Sequence, residues 1–334
     1  MESRRVLGGA LVALVAVILW VGAQGEPLQP RVSTAPWSAA PTLPPSIMSR
    51  PGPVPTAPGK ADPTATPGVS SQSLPTPAQG PSDSVPLREE IANFVTGLDG
   101  TYSVAISDLT TGQQVLVDAA RVFPSASLYK VLVMYRVYQL IDRGELSPNT
   151  EVVFLADDLA ESENGDGLSP GDEMTVDQAV EWMITFSSNP AAYALARKAG
   201  GWNEVLAAAD ELGMRSTTWD GASFQTTSAD MLRFFELLGR RALVSPTASD
   251  EMIGVLLRQT INDRLPADLP PGTRVAHKTG ELPEIRHDGG IVFTPNGPYA
   301  IVIMSEGIDP PKAAAAQATI ARMAYDRVTS GRGA

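Results

Sequence analysis

Three short stretches of this chain carry side chains able to break an acyl bond: Ser127-Leu128-Tyr129-Lys130, Ser187-Ser188-Asn189 and His277-Lys278-Thr279-Gly280. A serine and a lysine three residues apart share one face of a helix, so the amine can reach the hydroxyl. A neutral amine there acts as a base and leaves the serine oxygen free to attack a carbonyl. Burial lowers a lysine's pKa and favours that neutral form. A Ser–Lys pair is otherwise an ordinary surface feature of helices. Here the chain holds only five lysines, and Lys130 directly precedes the apolar run Val131 to Met134, where an unpaired charge is expensive. These two facts mark Lys130 as functional. Taken alone, Ser187-Ser188-Asn189 reads as a helix stop before Pro190, and Lys278 as a strand lysine facing water. Gly280 leaves room for the close approach of a substrate backbone.

The elements that position these residues follow from periodicity. Phe123-Pro124-Ser125 sets Ser127 in the first turn of a helix running to Asp142, where free N–H groups and the helix dipole favour negative charge. That helix is apolar on most sides, as a buried helix is. An amphipathic helix is expected over Leu87 to Leu98. Strands are expected at Tyr102 to Leu109 and Gln114 to Asp118, joined by Thr110-Thr111-Gly112. From Val176 to Leu257 the period is helical, broken at Asn189-Pro190, Gly200-Gly201 and Asp220-Gly221. Val275 to Thr279, Gly289 to Thr294 and Tyr299 to Ser305 read as three more strands, and Ala313 to Val328 as a closing helix. The expected fold is α/β of the α+β kind: a five-stranded antiparallel sheet flanked by helices, with an inserted all-helical subdomain.

Composition narrows the chemistry. The 334 residues are 43% hydrophobic and 19% charged, enough for a sizeable core. The net charge of -12 falls after residue 86, so the folded part is acidic and nucleic acid is not an expected partner. With no cysteine, thiolate chemistry is excluded; with only His277 and His287, a histidine-built metal cluster is not expected, nor is a cofactor. Residues 1–25 carry Arg4 and Arg5 ahead of an apolar run from Val6 to Ala23, the pattern of a signal peptide or a minimal membrane span. Residues 26–86 are rich in Pro, Ser, Thr, Ala and Gly and read as a disordered linker, with an extended reach of about 190 Å. A stalk of that length favours an anchored protein. Residues 87–334 form the catalytic domain, which is expected to be extracytoplasmic, whether anchored or secreted, and monomeric.

Together the three motifs resemble the Ser-x-x-Lys, Ser-Asp-Asn and Lys-Thr-Gly set of class A β-lactamases and penicillin-binding proteins. Gly144-Glu145-Leu146-Ser147, Met183-Ile184-Thr185 and Gly289-Gly290-Ile291-Val292 fit the same family, and the likeness spans roughly residues 95–326. The resemblance implies a β-lactamase/transpeptidase-like fold. It implies Ser127 as the acylated nucleophile, Lys130 as its base, and Ser187 as proton shuttle to the leaving nitrogen. Asn189 would hold the substrate amide or Lys130, Lys278 would supply positive potential, and Thr279 would bind a substrate carboxylate. The backbone N–H groups of Ser127 and Glu281 would form the oxyanion hole. Arg286 is a candidate second carboxylate anchor, with a solvated loop arginine as the alternative.

Two departures stand out. Ser188 occupies the place of the family's Asp. The family's Glu-x-x-x-Asn segment, which activates the deacylating water, has no counterpart between Leu212 and Phe224. Trp219-Asp220 is the nearest stand-in, although Asp220-Gly221 also reads as a plain turn. The expectation is a serine hydrolase acylated by β-lactams with weak deacylation. A D-Ala-D-Ala peptidase that β-lactams inhibit is one alternative, and a β-lactam-binding sensor without turnover is another.

Overall fold

The structure, a computed structural model, describes residues 85–160 and 167–330. The expectations for residues 1–25 and nearly all of 26–86 fall outside the described residues. No helix among the described residues is long and apolar enough to cross a membrane.

Helix α1 (Val85–Thr96) leads into the hairpin β1 (Thr101–Asp108) and β2 (Gln114–Val117). Strand β3 (Val122–Pro124) follows, then a 3₁₀ turn at Ala126–Tyr129 and helix α2 (Lys130–Asp142). Strands β4 (Glu151–Val153) and β5 (Glu173–Thr175) pair with each other ahead of helices α3 (Val176–Thr185), α4 (Asn189–Lys198) and α5 (Trp202–Glu211). A second hairpin, β6 (Thr218–Trp219) and β7 (Phe224–Thr227), precedes α6 (Ser228–Gly239) and α7 (Pro246–Leu256). Strands β8 (Arg274–Leu282), β9 (Ile285–Thr294) and β10 (Gly297–Glu306) and helix α8 (Pro310–Ser330) complete the order.

The main sheet is antiparallel in the order β2-β1-β10-β9-β8, with the helical elements inserted between β2 and β8. The expected five strands are all present. Both faces of the sheet are covered, which is why Ala300 to Met304 reads as an unbroken apolar run. Ala105, Ala300, Val302 and Met304 face the core shared with α2, α3 and α6. Val104, Ile106, Ile301 and Ile303 face Leu87 and Ile91 of α1 and Ile320 and Ala321 of α8. Local chemistry fixes the helix starts. Thr175 and Gln178 form a capping box on α3, and Ser188 and Ser245 cap α4 and α7, each with a proline in the first turn.

Several boundaries differ from expectation. α1 starts at Val85, two residues inside the expected linker. β2 ends at Val117 because Asp118 adopts φ +48°. β8 and β9 run through to a tight turn at Pro283-Glu284, so Gly289-Gly290 lies in mid-strand instead of opening one. The reason is crowding. A Cβ on Gly289 would come within 2.9 Å of the Phe235 ring, and one on Gly290 would meet Ala276 O and the His277 side chain. The helix expected from Ser127 starts as the 3₁₀ turn, and the α-helix proper begins only at Lys130. Ser127 therefore sits a turn ahead of the α-helix. A 3₁₀ turn stacks residues i and i+3, which puts Ser127 and Lys130 on one edge.

Gly290→Ala is expected to destabilise the domain by about 3 kcal/mol, because the new methyl presses on backbone that cannot yield. Urea unfolding of the folded domain measures it.

Candidate active site

The turn carrying Ser127 is held from two sides. β3 pairs with β7, and Ser125 N donates to Phe224 O at 2.8 Å. On the other side β8 passes so close that a Cβ on Gly280 would lie 3.2 Å from both Ser125 O and Ala126 Cβ. The close approach that Gly280 serves is thus strand against turn, where the sequence suggested substrate. His287 adds a third tie: its Nε2 donates to Pro124 O at 2.9 Å, and burial pushes the imidazole down to about 4, leaving it neutral at pH 7. Between these supports Ala126 takes φ +45°, a conformation that costs an alanine on the order of 1 kcal/mol.

The three motifs meet at Ser187. α3 ends at Thr185 and α4 is capped by Ser188, which leaves Ser187 in the joint between them at φ +60°. Its Oγ accepts from Lys130 Nζ at 3.2 Å and from Lys278 Nζ at 3.0 Å. Lys130 Nζ also donates to Ser187 O at 2.5 Å and to Asn189 Oδ1 at 2.7 Å. Both lysines are fully buried. Ser188, where the family has Asp, accepts from Ala191 N and so supports the joint as a helix cap.

Lys278 donates to Thr279 O as well. Desolvation lowers its pKa to about 7; Asp288 and Glu281 oppose that shift and Arg264 adds to it. Thr279 Oγ1 is buried and has no hydrogen-bond partner among the described residues. On the same strand His277 is held by Asp288, 2.9 Å from its Nδ1, and by Asn262, 3.1 Å from its Nε2. Arg264, absent from the sequence-based candidates, is fully buried beside this strand end and pairs with Glu281. From sequence it is a loop arginine; only the strand folded against it makes it an interior cation.

Ser127 and Asn189 open onto a cleft of about 250 Å³, together with Glu281. One wall is aromatic: Tyr129, Tyr193, Trp202, Trp219 and Phe224, with Trp219 and Phe224 ring centres 4.8 Å apart and Trp202 and Trp219 stacked at 5.4 Å. Sequence spacing gave no hint of this cluster, because its members come from the 3₁₀ turn, α4, α5 and the β6–β7 hairpin. Asp220 lies in the turn of that hairpin with its carboxylate turned to its own loop. Oδ1 accepts from Ala222 N at 2.8 Å and Ser223 N at 2.7 Å, and those bonds, Ser223 first, hold its pKa below the usual carboxylate range. Arg286 does not reach the cleft. Its guanidinium donates to Leu282 O and Ile285 O and faces a separate cavity of about 540 Å³ beside α8. That cavity is the larger of the two but contains none of Ser127, Lys130, Ser187 and Lys278, so size does not identify the site.

Comparison with known proteins bears on the family and the fold. Residues 86–328 match the family model described as the β-lactamase enzyme family. A β-lactamase of Streptomyces lavendulae is 26% identical over 237 residues, covering 65% of this chain and 77% of that protein. The extended-spectrum β-lactamase PER-1 of Pseudomonas aeruginosa is 25% identical over 237 residues, covering 63% of this chain and 76% of its own. Among solved structures, that of PBP-A superposes with a TM-score of 0.69 at 24% identity, over 73% of this chain and 96% of the other, and shares the β-lactamase/transpeptidase-like fold.

The lowered pKa of Lys278 makes stability depend on pH. Between about pH 7 and 10 the unfolded chain holds a proton on this lysine that the folded protein has lost, so stability rises with pH across that window. Lys278→Met is expected to remove that rise, at most about 1.4 kcal/mol per pH unit. Urea unfolding at pH 7 and pH 9.5 measures the difference.

Proposed function

The chain belongs to the β-lactamase enzyme family, and we propose that it is a serine hydrolase that β-lactams acylate on Ser127. The observation that carries this reading is Ser187 Oγ, which accepts from two buried lysines at once. A hydroxyl oxygen with both lone pairs engaged has only its own proton left to give. Ser127 Oγ attacks the carbonyl carbon of the lactam, and Lys130, deprotonated and with one of its three donated bonds given up so that its lone pair is free, takes the hydroxyl proton. The backbone N–H groups of Ser127 and Glu281 carry the oxyanion. As the C–N bond breaks, Ser187 delivers its proton to the departing nitrogen and takes one from Lys130. The ester on Ser127 remains. Asn189 orients Lys130 and the substrate amide, Lys278 holds Ser187 in place, and Thr279 receives the substrate carboxylate.

Release of the ester needs water and a base, and here the reading favours slow deacylation. The carboxylate of Asp220 is engaged in its turn, that of Glu281 is held by Arg264, and the wall beside Ser127 is built of rings. The same observation supports the alternative of a D-Ala-D-Ala peptidase that β-lactams block. With the leader and linker read from residues 1–86, the proposed setting is extracytoplasmic.

A chromogenic cephalosporin, followed by colour and by intact mass, tests the proposal. The expected result is a lasting adduct that Ser127→Ala abolishes. Rapid colour release would make the protein a β-lactamase with efficient turnover, cleavage of a D-Ala-D-Ala peptide would make it a peptidase, and no adduct would overturn the assignment. Asp220→Asn is expected to leave release nearly unchanged, far from the roughly 10²–10⁴-fold loss that follows removal of a general base.

A further inference from the structure

Glu281 follows Gly280 at the open end of β8 and lines both the Ser127 cleft and the cavity beside α8, with a side chain 43% exposed. Its carboxylate nevertheless points to Arg264, whose guanidinium has no accessible surface in this arrangement. Arg264 is held further by His287 O at 3.1 Å, and its Nε lies 3.3 Å from Asp263. Arg286, opposite Glu281 in the ladder, donates instead to the carbonyls of Leu282 and Ile285. The strand end beside the cleft thus has a guanidinium, but a carboxylate of the protein's own covers it.

We propose that Glu281 is a specificity-determining residue, an internal anion seated on Arg264 that an acyl donor with a free carboxylate beside its scissile bond must displace and a neutral donor need not. This rests on the acylation of Ser127 proposed above. A guanidinium fork matches one carboxylate well, so two carboxylates compete for it. Glu281 is tethered beside Arg264 and holds an advantage in effective concentration over any soluble anion. Being partly exposed, it is also free to swing towards solvent when displaced, so the pair works as a gate with an adjustable cost. The discrimination is against anionic donors relative to neutral ones of the same shape.

Benzylpenicillin and its methyl ester differ in that carboxylate alone, and intact-mass kinetics gives the acylation rate constant for each. In Glu281→Gln, which keeps the backbone N–H and the side-chain size, the acid-to-ester ratio is expected to rise about fivefold, the scale of one partly exposed ion pair. Glu281→Asp, which keeps the charge, is expected to leave the ratio closer to that of the parent. An unchanged or lower ratio in Glu281→Gln, with both compounds still acylating, overturns the gate and leaves the proposed function standing. If neither compound acylates the parent, the proposed function fails. Calorimetric binding of the two compounds to Ser127→Ala, with and without Glu281→Gln, then decides the gate: a selective gain for the acid supports it, and equal affinities reject it.

Discussion

Ser187 Oγ accepts from the amines of two buried lysines, and the architecture follows from what is needed to keep them there. Lys130 comes from α2, Lys278 from β8 and Ser187 from the α3–α4 joint, segments 57 and 91 residues apart in sequence. If both were charged, two lysine nitrogens within about 6 Å of each other would repel by roughly 3 kcal/mol at an effective dielectric of 20. The surroundings answer with acceptors: Ser187 O and Asn189 Oδ1 on Lys130, Thr279 O on Lys278, and Asp288 behind the strand. The left-handed backbone at Ser187 is the local cost of presenting both its carbonyl and its hydroxyl to Lys130.

Much of this was legible in the sequence because it is local. The Ser127–Lys130 spacing, the helix break at Asn189-Pro190 and the apolar runs of β1 and β10 are each written within a few residues. The three motifs could be joined only by resemblance, since nothing local says that Lys278 will face Ser187. What was not legible is what depends on distant neighbours. Arg264 is interior only because Glu281 and His287 fold over it, and Gly289-Gly290 sits in mid-strand only because Phe235 and His277 crowd it. The 3₁₀ start of the Ser127 segment likewise depends on β8 pressing on Ala126.

The aromatic wall shows how a region without a recognisable motif can still shape chemistry. Two of the chain's five tryptophans stack there, against Phe224, on one side of the cleft onto which Ser127 opens. Apolar ring faces exclude water and none of these side chains carries a carboxylate, which is the feature the proposed slow release of an ester rests on.

The pairing of β7 with β3 has an evolutionary corollary. The wall and the segment before Ser127 belong to one small sheet in the order β3-β7-β6. A strand shifted by a single residue turns every side chain to the opposite face. Inserting one residue into β7 to make room for a new water-holding group would therefore drag Ser127 out of alignment. Change on this side of the cleft is left to exchanges of side chain at constant chain length, a ring for a carboxylate within the existing hairpin.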